Sequence, residues 1–319
     1  MQKIIFLFLF LFSSLEARTL RVGHFPNITH AQGLLGHSFT RSGEGWFEKY
    51  LGDDVKLEWY TYNAGGSAME AIFAGSLDLT YTGPAPAINA FIRSGGEEVR
   101  ILSGACSGGS ALVVTKKSDI KSVADFRSKK IATPQLGSTQ DVACRSWLIT
   151  QGFQVTLTGG DVLVIPTTNA SQLVLFLRGE LDGAWSVEPW VSLLLTKGEA
   201  TLFLEESQLW PDGKYATTLL AGRKELTTNE PLLTKQFIEA HAALTEWIHK
   251  NPEEAIQRIQ KEIFAELGIT LPKEIVERAF HKLLFTTDPL KQTVEKMAEN
   301  SFKLGFLSEE PHIEGLFYP

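Results

Sequence analysis

The residues with the most chemistry to offer lie early in the chain. His24, His30 and His37 fall within fourteen positions, a density that invites a metal reading. No carboxylate or cysteine accompanies them at ligand spacing, and Pro26 forbids a shared helical face. No metal site is therefore expected, and His24 is left either with a hydrogen-bonding role at the cleft or with structural use. "GACSG" (104–108) sets Cys106 in the nucleophile slot of an elbow motif. That elbow needs a helix after it, whereas a strand, "ALVVT", follows, so a structural crossover is expected. Asp78 and Asp182 pass for a catalytic carboxylate pair until their surroundings are compared. "AGSLDLTYTGPAP" (74–86) and "RGELDGAWSVEPW" (178–190) read alike, with Gly75, Asp78 and Tyr81 matched by Gly179, Asp182 and Trp185. Equivalent positions of a repeat each serve their own turn, so these carboxylates belong apart. No phosphate loop and no dinucleotide glycine motif occurs. No catalytic residue and no cofactor is expected.

The elements that position these residues alternate. "TLRVGHF", "VKLEWYTY", "LDLTYTG" and "VRILSGA" read as strands, with helices over 63–75 and 84–96 between them. The second half repeats the order through "ALVVT", "KKIATP", a helix after "GSTQD", "DVLVIPT", the helix "NASQLVLFLRG" and the strand of the repeat. "YATTLLAG" is one further strand, and beyond about 226 the texture is helical, with Asn251-Pro252-Glu253-Glu254 a clean helix start. This alternation predicts an α/β fold. A duplicated α/β unit gives two lobes of like shape, and the gap between lobes is a common place for a ligand. Loops leaving the strand ends are rich in Gly, Ser, Thr and Asn and feed helix N-termini, whose unpaired N–H groups favour anions.

Composition agrees. The chain has 319 residues with 44% hydrophobic and 21% charged, globular values, and a net charge of −7. An acidic chain is a poor partner for nucleic acid or anionic lipid, so an anion must be held by local donors. Lys3, the apolar run Ile4–Phe12 and a small residue at Ala17 read as a signal peptide cleaved near Ala17, so an exported, periplasmic protein is expected. Cys106 and Cys144 either pair or stand as two buried thiols.

"GHFPNITHAQG", "NAGGSAMEAIFAGSLDLTYTGPAPAINAF", "GGSALVV", "IATPQLGSTQDVA", "GELDGAWSVEPW" and "FTTDPLKQTVEKMAENSFKLGF" together resemble the substrate-binding proteins of ABC importers for nitrate, taurine and aliphatic sulfonates. The resemblance implies a two-lobed type II periplasmic binding protein fold, each lobe a mixed sheet flanked by helices. Residues 18–109 plus 216–319 would form lobe 1, with the C-terminal helices packed on it, and 110–215 lobe 2. It implies no enzyme but a monomeric binding protein that clamps a small-molecule anionic ligand and delivers it to an ABC permease with its ATPase. Carried over, the ligand contacts are Asn27, Thr29, Gly65, Gly66, Ser67, Thr82 and Gly83 from lobe 1. Lobe 2 would add Gly137, Ser138, Thr139, Gln140, Trp185 and Glu188, with Trp185 on an apolar part of the ligand and Glu188 on an amine or hydroxyl, or else bridging the lobes. An aliphatic sulfonate is the leading ligand; nitrate, sulfate esters, phosphonates and heterocycles are the alternatives. A thiamine pyrimidine-precursor synthase resembles the same family, but its activity needs a cysteine-rich motif that two isolated cysteines do not supply. The stretch "GHSFTRSGEGW" (36–46) departs from the family by being longer and more polar.

Overall fold

The computed structural model describes residues 17–319, so the expected leader up to Glu16 lies outside the described residues. The strands are β1 (Arg18–His24), β2 (Val55–Thr61), β3 (Leu79–Thr82), β4 (Val99–Gly108), β5 (Ser110–Thr115), β6 (Lys130–Thr133), β7 (Leu163–Pro166), β8 (Gly183–Val187), β9 (Ala200–Glu205), β10 (Ala216–Arg223) and β11 (Leu283–Phe285). They form two sheets, ordered β11-β4-β10-β3-β1-β2 and β7-β6-β8-β5-β9. Leaving out β11, the two have one plan: three parallel strands, then two strands joined antiparallel. The chain crosses between sheets after β4 and again before β10. The mixed α/β architecture expected from the alternation is the one found.

The first sheet carries helices α1 (Ala31–Arg41), α2 (Glu48–Leu51), α3 (Gly65–Phe73) and α4 (Pro84–Arg93). The second carries α5 (Thr139–Thr150), α6 (Asn169–Arg178) and α7 (Trp190–Lys197). The remainder are α8 (Lys224–Asn229), α9 (Pro231–Lys250), α10 (Pro252–Leu267), α11 (Lys273–Phe280) and α12 (Lys291–Lys303). α10 opens on proline with Glu253 and Glu254 in its first turn, and ends on Gly268 at φ 67°, a left-handed position glycine takes without strain. Its Ile256, Ile259 and Ile263 share one core with Leu20, Leu34, Phe237 and Leu244. Each fully buried aliphatic chain of this kind contributes about 1.5–3 kcal/mol. The C-terminal helices are not confined to the first sheet's layer: α11 also packs on α7, and α12 packs on both α4 and α5. No helix among the described residues is long and apolar enough to cross a membrane.

The repeated sequence has a structural cause. Asp78 accepts the Arg21 N–H at 2.8 Å and returns its own N–H to the Arg21 carbonyl at 2.9 Å. Asp182 does the same with Lys130, at 2.9 and 3.0 Å. Each aspartate thus locks its own strand, at the amino end, to the parallel neighbour in its own sheet. Gly75 and Gly179 end the preceding helices at φ 66° and 72°. Cys106 and Cys144 are free and buried, and burial drives both thiols well above their ordinary pKa, which suits packing and not nucleophilic attack.

Candidate ligand site

The carboxyl ends of β1, β3, β6 and β8 face one another across the gap between sheets, where ligands of open α/β folds bind. A cavity of about 40 Å³ lies there. Of the residues the family resemblance implies, Asn27, Thr29, Gly65, Gly83, Ser138, Thr139 and Gln140 line it. The starts of α3, α4, α5 and α6 all reach its wall, through Gly65, Gly83, Thr139 and Asn169. Ser138 is the N-cap of α5, its Oγ accepting the Asp141 N–H at 3.2 Å. The lobes meet directly here. Thr139 Oγ1 accepts the Ala85 N–H at 3.3 Å, Gln135 Oε1 the Gly66 N–H at 3.3 Å, and Trp190 Nε1 donates to Asn27 Oδ1 at 2.9 Å.

No Lys, Arg, Asp or Glu is in the lining among the described residues. Its one titratable group, His30, is driven well below its ordinary pKa by burial and then by nearby His24, so it is uncharged at neutral pH. Thr218 in the lining and Thr82 beside Gly83 each bury a hydroxyl without a partner, and such groups cost stability until something bonds them. A larger groove, about 1000 Å³, runs along the flanks of α5 and α12 and contains none of the residues the resemblance implies.

Six of those implied residues stand elsewhere. Gly66 faces Gln135, and Thr82 is the buried orphan just named. Ser67 lies inside the first turn of α3, not at its cap, and its exposed hydroxyl donates back to the Ala64 carbonyl at 2.9 Å. Gly137, at φ 72°, shapes the loop and gives its N–H to Asp141. Trp185 is not in the cavity lining: it is fully buried inside the second lobe, with Nε1 donating to Glu206 Oε2 at 2.7 Å. Glu188 is turned inward, accepting the N–H and hydroxyl of Ser192 at 3.0 Å each, with Lys282 of the other lobe 3.9 Å away. Sequence reasoning missed His30, Asn63, Asn169, Thr217 and Thr218. Asn63 and Asn169 had a signal, since each begins a predicted helix straight after a strand.

Glu206 gives a pH prediction. Burial lifts its carboxyl to about 7, against hydrogen bonds from Trp185 and Trp210 that pull it down. A folded pKa raised above the unfolded one stabilises fully below about 4.5 and is lost as pH rises through about 7. Glu206→Gln, which cannot ionise, should therefore gain roughly 3 kcal/mol relative to the parent between pH 5 and pH 8. Urea unfolding of both proteins at the two pH values measures this, and an unchanged difference would refute the buried neutral acid.

The model of the NMT1-like family matches residues 13–265. The chain belongs to the NMT1-like family. Among its relatives, the putative aliphatic sulfonates-binding protein of Escherichia coli (strain K12) is 27% identical over 206 residues, 64% of this chain and 59% of that protein. The taurine-binding periplasmic protein of the same organism is 24% identical over 187 residues, 58% of this chain and 55% of that one. The chain thus matches less than two thirds of either relative's length. The alkanesulfonate-binding protein SsuA from Xanthomonas axonopodis pv. citri, solved bound to MOPS, superposes with a TM-score of 0.77 at 20% identity, covering 95% of this chain and 99% of that one. The periplasmic nitrate-binding protein NrtA from Synechocystis PCC 6803 gives 0.72 at 17%, covering 92% and 83%. The fold is that of the periplasmic binding proteins.

Proposed function

We propose that this NMT1-like chain is the extracytoplasmic solute-binding component of an ABC importer. It captures an aliphatic sulfonate by lobe closure and hands it to a membrane permease driven by an ATPase. It is exported, acts in the periplasm and performs no chemistry of its own. The observation that carries this is the meeting of four helix N-termini around an uncharged, hydroxyl- and amide-lined cavity. Aligned N–H groups there stabilise an oxyanion without a cation, and Phe25, Pro86 and Val187 offer apolar wall to a short tail. A volume near 40 Å³ is on the order of a water or two. Gln135 and Thr139 must therefore release their donors to the ligand as it enters.

The lining also orders the candidates. It holds no carboxylate, so the ammonium of taurine finds no counter-charge. Ethanesulfonate should bind at least about tenfold more tightly than taurine, a difference on the order of 1.4 kcal/mol. Nitrate, which leaves the apolar wall unused, should also bind more weakly. Calorimetric titration with ethanesulfonate, taurine, nitrate and sulfate tests both statements. Absence of binding by every anion would overturn the function, and taurine binding above ethanesulfonate would overturn the ordering.

A further inference from the structure

The polar stretch at 36–46, foreign to the family pattern, is not used by the ligand cavity. It places His37 on α1 against His24 at the end of β1. The carboxylate that the local sequence lacks comes from α10, 229 residues further on in the chain. His24 Nε2, His37 Nδ1 and Glu266 Oε1 form a triangle with sides of 3.2, 3.1 and 3.0 Å. Glu262, one turn earlier on α10, brings Oε1 to 3.3 Å from His37 Nδ1. The side chains of both glutamates are 2% exposed and that of His24 is fully buried.

We propose that His24, His37 and Glu266, with Glu262 as fourth ligand, bind a zinc-class divalent cation. Tetrahedral coordination with bonds of 2.0–2.1 Å sets ligand atoms about 3.3–3.4 Å apart. The triangle needs to open by only a few tenths of an ångström. Hydrogen bonds fill it poorly. Two neutral imidazoles bring two N–H groups, and the second nitrogen of His24 lies 3.4 Å from the Phe25 carbonyl, which only an N–H can satisfy. In that tautomer the lone pair of Nε2 points at the carboxylate oxygen, a contact that either a second proton on the ring or a cation between them satisfies. Glu266 Oε2 is buried without a partner, a second unspent acceptor at the same place.

The surroundings hold the ligands in position. Trp59 stacks on His37 at 5.9 Å and 13° and meets His24 edge-on at 5.8 Å. Gly33 and Gly36 let α1 approach, since a Cβ at either would lie 2.6 Å from His24 Cβ or from Trp59. The partial exposure of His37 leaves a way in. Bound there, the ion pins α10 to β1 and α1, tying the C-terminal helices to the first sheet. Arg41 is the competitor: it binds Glu262 at 2.9 Å and lies 3.0 Å from His37 Nε2. Its side chain is 49% exposed and free to swing into solvent.

The test strips the purified chain with a chelator, then titrates Zn²⁺ by calorimetry and Co²⁺ by visible absorption. One equivalent should bind, with the intense Co²⁺ bands of tetrahedral coordination. His37→Gln and Glu266→Gln should each weaken Zn²⁺ by at least about tenfold, and Arg41→Gln should strengthen it. Should Glu266→Gln fail to fold, the opposite shifts of His37→Gln and Arg41→Gln still decide. Absence of stoichiometric binding, or equal affinity in His37→Gln and the parent, overturns the proposal.

Discussion

Arg145→Met should destabilise the second lobe by about 3–5 kcal/mol. Arg145 and Asp141 are a fully buried pair one turn apart on α5, with Nε 3.0 Å from Oδ2. Methionine keeps the apolar stem and removes the charge. The aspartate is then left without its counter-charge in a low-dielectric interior, with only Thr133 Oγ1 and the Gly137 N–H for support. The carbonyls of Thr156 and Val164 lose their guanidinium donors as well. Since the lost contacts all lie in one lobe, urea unfolding should separate into two transitions, the earlier one belonging to the second sheet. Removing the partner too, in Arg145→Met/Asp141→Leu, should recover much of the loss, because two matched apolar groups leave no orphan charge. The same aspartate fixes Gly137 and Ser138, so ethanesulfonate affinity should fall along with stability. A single cooperative transition at the parent's midpoint would show that the pair carries no such weight.

The strand–helix alternation, the repeat and the loops on the cavity were legible because each depends on residues near in sequence. A strand that runs straight into a helix start announces its donors within a few positions, as "TGPAPA" and "GSTQD" do. Trp185 is buried away from the cavity lining, and the repeat itself carries the reason. Its repeat partner Tyr81 is fully buried too, its hydroxyl 3.0 Å from His241 Nδ1. Read strictly, the repeat makes both aromatics pillars of their own lobes, each with its polar tip bonded inside. What hid this was Glu206, the partner of Trp185, which no local pattern ties to it. Thr217 and Thr218 reach the cavity from the amino end of an antiparallel strand, so a rule about carboxyl ends is silent on them. Glu266 is the extreme case, since only the packing of α10 on α1 brings it to the histidines.

Gly83→Val should cost on the order of 100-fold in ethanesulfonate affinity, about 2.7 kcal/mol, with little change in the melting of the ligand-free protein. Gly83 has φ −73° and ψ 159°, extended backbone that any residue adopts, so its own lobe accepts a side chain without strain. The obstacle is across the gap: a Cβ there would lie 2.3 Å from Thr139 Oγ1. Contact at that distance exists only when the lobes are together, so valine penalises closure and spares folding. A ligand gains affinity only through contacts that differ between open and closed states. Blocking closure strips away the second lobe's share of them and leaves the first lobe's donors in place. Thr139→Ala, harmful alone through its lost hydroxyl, should be less harmful in the Gly83→Val background, an interaction a double-mutant cycle reads directly. X-ray scattering should show ligand-induced compaction in the parent and none in Gly83→Val. Parent-like affinity in that variant would mean that the sulfonate is held without the two helix starts meeting.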